Sequence, residues 1–210
     1  MFELVVIFFT SFVIALSGAI MPGPLLTITI SESTRRGVVA GPLLISGHAV
    51  LELLLVIALL LGLGPILKHP LFFMISAFLG GAIMFWMAFS MFRSLPVLTI
   101  NNTETGNRKK NLPLTGALMS LANPYWIIWW ATIGIAYIVQ SQRLGLIGVM
   151  FFFVGHIAGD LIWYLGISIA VAKGKKLFTD KVYRVLIGVC GSFLVGFALF
   201  LVVKAIKELL

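Results

Sequence analysis

The chain is short of charge and of sulfur. Of its 210 residues only 10% are Asp, Glu, Lys or Arg, seven of them acidic, and there is one cysteine. A lone Cys190 closes no intrachain disulfide and excludes thiol-relay chemistry, which needs a pair. No Cys/His cluster of zinc-finger spacing and no Gly-Lys-Ser/Thr loop for phosphate is present, so no resident cofactor is expected. A hydrophobic fraction of 60% excludes an ordinary soluble domain and leaves little polar sequence for an extramembrane one. The formal net charge of +8 does not point to nucleic acid here, because basic loops of a membrane protein face an anionic cytoplasmic leaflet.

What is there is apolar length. A helix crosses a bilayer with roughly 20 apolar residues, and the polar breaks predict six spans, at about 3–34, 38–64, 70–92, 113–139, 144–172 and 185–203. The expected class is an all-α polytopic membrane protein with the lipid bilayer as its first partner. The small residues of "ALSGA" at 15–19 imitate a signal-peptidase site. Glu3, the absence of an early Lys or Arg and the length of the run argue against cleavage. Assigned to alternating sides, eleven basic residues (2 + 4 + 5) fall with the 94–112 linker and four fall opposite. The positive-inside rule then predicts a cytoplasmic linker and both termini outside. The sequon Asn101–Thr103 lies in that linker and therefore carries no weight.

Halving the chain exposes a repeat. Pro22, Gly23 and Pro24 interrupt the first span, and Asn123 and Pro124 the fourth. The second span carries Gly47-His48 with Glu52, and the fifth carries Gly155-His156 with Asp160, offset by 108 (156 − 48 and 160 − 52). Three spans per half, an odd number, invert the second half, giving repeats 1–93 and 113–210 around the linker 94–112. Inverted repeats with broken helices recur in secondary transporters, whose sites lie near the midplane at the repeat interface. A proline inside a span frees a carbonyl that must be covered by protein or a wet cavity.

The four frame residues are predicted to be deep. His48 is 11 residues past Gly37 and Glu52 is 12 before Gly64, while His156 is 12 past Leu144 and Asp160 is 12 before Ala172. The spacing of four places each histidine over its acid on one helix face. None of the fifteen Lys and Arg residues is placed at that depth, and the other five acids fall in or near loops and ends. A midplane carboxylate without a protein cation needs a proton, a histidine hydrogen bond or a cation from outside. A proton or cation station is one reading, and interhelical hydrogen-bond glue is the other. Near the second break, Tyr125 and Trp126 are candidates for cation–π contact with an ammonium or guanidinium group, against the alternative of interfacial anchoring. Gly188, Ser192 and Gly196 form a small-residue ridge in the last span, suited to helix packing or to a homodimer seam.

The segment "MPGPLLTITISESTRRGVVAGPLLISGH" at 21–48 resembles the first block of the lysine-exporter (LysE/RhtB) translocators, as do Asn123-Pro124, the length and the position of the linker. Leu25 stands where many members carry Asn or Asp after the Pro-Gly-Pro. The resemblance implies a small bacterial inner-membrane protein, not an enzyme, that exports amino acids on an ion gradient or the membrane potential. Two acids without a basic partner favour a cationic cargo such as lysine or arginine, though a coupling proton would use them as well. A divalent-metal exporter using both His/acid pairs is the alternative. An intramembrane metal-dependent hydrolase is the remote one.

Overall fold

A computed structural model describes residues 1–67, 69–97, 111–174 and 180–207. Lys68, most of the linker with its sequon and with Arg108, Lys109 and Lys110, and Lys175 and Lys176 lie outside the described residues. Among those described, every regular element is helical.

Helix α1 (Phe2–Ala19) ends where the sequence runs out of backbone donors. Pro22 and Pro24 have no N–H, and proline pushes the residue before it out of the helical region. Gly23 is accordingly extended (φ −155°, ψ −176°), and Pro24 opens α2 (Pro24–Arg36) from the first-turn position that best tolerates proline. Gly37 then turns the chain at φ +73°, a conformation open to glycine and costly to other residues. Helix α3 (Ala40–Ala58) follows and loosens through a π-type turn, Leu59–Leu63, kinked at Gly62, before the single turn α4 (Gly64–Leu67). Helix α5 (Pro70–Ser94) completes the first half.

The second half repeats these devices. Helix α6 (Leu112–Leu121) stops before Asn123, which is extended and whose side-chain oxygen accepts from the Tyr125 N–H. Pro124 opens α7 (Pro124–Trp129), which passes through a second π-type turn, Trp130–Gly134, into α8 (Ile135–Ser141). Gly145 at φ +68° opens α9 (Gly145–Lys173), 108 residues after Gly37 (145 − 37). Helix α10 (Asp180–Lys207) begins five residues before the expected start of the last span (185 − 180). Polar residues form helix readily, and Asp180 in the first turn suits the positive end of the helix dipole.

Among the described residues, five helical stretches are long and apolar enough to cross a membrane: Phe2–Ala19, Pro24–Ile66, Pro70–Ser94, Pro124–Lys173 and Asp180–Lys207. The second and fourth, of 43 and 50 residues, are broken at Gly37 and Gly145. The half-length helix Leu112–Leu121 is apolar but too short to count alone.

Packing pairs α1 with α9, α6 with α3 and α5 with α10, and α3 also meets α9. Polar groups are inside: Ser11, Thr29, His48, Glu52, Ser120, His156, Asp160 and Ser168 are all buried, while Leu61, Trp86 and Leu146 are exposed. That distribution suits lipid on the outside and would be an aggregation liability in water. Glu32, expected near a span end, is 1% exposed at the end of α2 and pairs with Arg36 Nε at 3.0 Å. The face of α10 that packs within the chain is Ile187, Cys190, Leu194, Ala198 and Leu201, against Ala77, Met84 and Ala88 of α5. The Gly188, Ser192 and Gly196 ridge is turned from that face; a Cβ on Gly196 would meet nothing within 4 Å.

Candidate functional site

The glycine before each histidine sets how closely the helices cross. A Cβ on Gly47 would overlap the Pro113 carbonyl of α6, and one on Gly155 would overlap the Phe8 carbonyl and Ser11 hydroxyl of α1. Each Gly-His frame thus lies directly against the half-helix that ends at the other half's proline break. The contact carries polar groups inward: Ser11 Oγ donates to the Phe152 carbonyl at 2.9 Å.

One residue on from each glycine, the two histidines face each other's acids, and the two His/acid pairs form one cluster. His48 Nε2 lies 3.1 Å from Glu52 Oε1 and 3.3 Å from Asp160 Oδ2. His156 Nε2 lies 3.0 Å from Glu52 Oε2 and 3.4 Å from Asp160 Oδ2. Imidazole and carboxylate alternate round a four-membered ring whose ligand atoms all fall within 4.8 Å of one another. All four residues are buried, with 6% or less of each exposed.

Neighbouring groups fix the ring unevenly. Ser120 Oγ lies 2.7 Å from His48 Nδ1 and 2.9 Å from the Gly116 carbonyl, and so ties the imidazole to the backbone of α6. The second nitrogen, Nε2, is thereby aimed at the acids. Glu52 Oε1 also accepts from the indole N–H of Trp126 at 2.8 Å and of Trp130 at 2.9 Å. Trp130 is wholly buried, and Gly134 leaves the room its ring needs, since a Cβ there would overlap it. On the other side the His156 ring lies 4.7 Å from the Trp129 ring, tilted 42° to it, and its Nδ1 has no hydrogen-bond partner among the described residues.

The breaks and the ring share one cavity. Gly23, Asn123, Tyr125 and Trp126 line it together with all four ring residues, Leu25 and Tyr164. Asn123 Nδ2 lies 3.2 Å from where a Cβ on Gly23 would stand, so the two breaks are neighbours. About 50 Å³ of it is open to the centre of a water-sized sphere, room for a few waters. Of the sequence candidates, Pro22 alone is neither in the ring nor among the lining residues or the proline-headed helices; its part is the break itself. Sequence reasoning missed Ser120 and Tyr164, and among the four aromatics after the second break it preferred Tyr125 and Trp126 to Trp129 and Trp130. The signal for Trp130 was Gly134 one helical turn later; none marked Ser120.

Apolar helices outside and a buried ring of titratable groups beside broken helices define a membrane translocator. The family model described as LysE type translocator matches residues 16–205, and the chain belongs to that family. A curated protein of Bacillus subtilis (strain 168), named "Putative amino acid efflux protein YcgF", is 29% identical over 97 residues, 46% of this chain and 46% of that protein. The matched stretch is thus about half of the relative's length. No solved structure matches the chain.

Proposed function

We propose that the chain is a secondary transporter that exports amino acids across a prokaryotic inner membrane, driven by a proton gradient or the membrane potential. The single observation that carries the reading is the ring of His48, Glu52, His156 and Asp160 in the same cavity as both helix breaks. In this reading six spans (α1–α2, α3–α4, α5, α6–α8, α9 and α10) form two inverted repeats, 1–93 and 113–210, joined by a cytoplasmic linker with both termini outside. The equal 108-residue offset of the turn glycines and of both frames supports the repeat, as does the exchange of partners between α1 with α9 and α6 with α3.

After Asn123 the Tyr125 N–H is already taken by the Asn123 side chain, and the substrate carboxylate meets the first-turn backbone N–H groups of the helix that opens after Gly23. Its ammonium group meets Glu52 and Asp160, which carry a net charge of −2 whenever both imidazoles are neutral. That charge favours lysine or arginine, and a coupling proton on a histidine lowers it to −1. A cavity with room for a few waters is too small for lysine or arginine, so loading either requires the two breaks to part, with one repeat rocking against the other. The small-residue ridge of half-buried Gly188 and exposed Ser192 and Gly196 suits a homodimer seam.

Efflux from proteoliposomes loaded with a panel of labelled amino acids tests the reading. Wild type is expected to release a cationic amino acid, and Glu52→Gln and Asp160→Asn to stop it. Release of no amino acid contradicts the exporter; undiminished release by both variants contradicts the ring as its site.

A further inference from the structure

We propose that the ring is also a binding site for one divalent transition-metal ion of the zinc class, held by the Nε2 atoms of His48 and His156 and one oxygen each of Glu52 and Asp160. Three observations converge. First, zinc bonds its nitrogen and oxygen ligands at about 2.0–2.1 Å, which makes the edge of a tetrahedral site about 3.3–3.4 Å. With Glu52 bound through Oε2, three edges measure 3.0 Å (to His156 Nε2) and 3.3 and 3.4 Å (from Asp160 Oδ2 to the Nε2 of His48 and of His156), and the remaining edges must contract from a spread of at most 4.8 Å. A cation at the centre removes the like-charge repulsion that keeps the carboxylates apart. Imidazole with carboxylate is a donor set for zinc and its neighbours rather than for magnesium or calcium, which take oxygen.

Second, the charges balance. Two carboxylates and two neutral imidazoles hold a net −2, and no Lys or Arg is among the described residues that line the cavity. A divalent ion cancels that charge in a buried site where any residue of it is costly.

Third, one ligand is already oriented as metal-bound histidines are. Ser120 Oγ lies 2.7 Å from His48 Nδ1 and so aims Nε2 between two carboxylates, where the tautomer protonated on Nδ1 offers its lone pair to a cation. Glu52 Oε2, buried and 3.0 Å from His156 Nε2, faces the same centre from the opposite side of the ring. Bound there, the ion competes with an ammonium group or a proton for the same four side chains.

Zinc titration of the purified full-length chain in lipid nanodiscs, with no amino acid present, tests the site. One Zn2+ per chain is expected, weakened ~100-fold or more in His48→Ala and in His156→Ala, and ~10-fold in Ser120→Ala, the usual scale of losing an outer-shell partner. Binding that is absent in wild type, or unchanged in both histidine variants, overturns the proposal; the second result would put the ion elsewhere, as on exposed His69. Should the histidine variants fail to fold, Co2+ bound to wild type decides. Intense visible absorption of a four-coordinate ion supports the ring, and the weak bands of a six-coordinate ion contradict it. Because no amino acid is present, failure here leaves the export reading standing, and zinc binding by a chain that moves no amino acid removes only that reading.

Discussion

The frame on α3 and the frame on α9 begin from the same pattern and end in different surroundings. His48 is held by Ser120, and Glu52 accepts two indole N–H groups. His156 has rings against it and a bare Nδ1, and the ion pairs of Asp160 are with the two imidazoles alone. A repeated sequence frame therefore carries one acid tied to indole donors outside the ring and one whose ion pairs lie within it.

Removing what the frames share gives the largest effects. Gly47→Val and Gly155→Val each force a side chain into backbone and should cost about 3 kcal/mol or more, seen as lost monodisperse protein and a lowered thermal midpoint. Gly166→Val, with nothing within 4 Å of its Cβ, should leave the midpoint nearly unchanged. A comparable loss there would separate the close crossings from the effect.

Removing what the frames do not share sharpens the contrast. Trp130→Phe takes an N–H from a buried carboxylate and should cost about 1–3 kcal/mol in thermal stability. Trp129→Phe gives up only a 3.3 Å bond to Ser17 Oγ and should cost about 1 kcal/mol or less. Equal losses would mean that the indoles matter as packing rather than as donors to Glu52.

Smallest is Ser120→Ala, which gives His48 the same unpartnered Nδ1 as His156. It should cost about 1 kcal/mol and slow export without abolishing it. If nothing changes in either measurement, the hydroxyl does not orient the ring.

Much of this was legible in the sequence. The two Gly-His-acid frames, the two breaks and the offset of 108 follow from residue order alone, and spacing of four dictates that each histidine meets its own acid. That each histidine also meets the other frame's acid was not legible, because it depends on how α3 and α9 are rotated and crossed. The same ignorance hid Ser120 and Trp130, which reach the ring across helices, 72 and 78 residues from His48 and Glu52 in sequence. Trp126 was read as a cation–π surface; that its N–H reaches Glu52 was not legible. Glu32 was placed near a span end; its burial with paired arginines is a tertiary fact that composition does not hold. For the Gly188 ridge, spacing of four names a face but not its neighbour, and the face of α10 against α5 is another one.

The central claim is that the two frames work as one cluster, and the cross-frame pair His48 and Asp160, 3.3 Å apart, tests it most directly. Thermal stability would be measured in nanodiscs for wild type, His48→Ala, Asp160→Asn and the double variant. Residues in contact couple by about 0.5–3 kcal/mol, whereas independent sites add to within about 0.3–0.5 kcal/mol. The account predicts that the double variant loses clearly less than the sum of the singles, because either change alone leaves a buried partner uncompensated. Simple additivity would show two separate pairs, each gluing its own helix, and would contradict the ring.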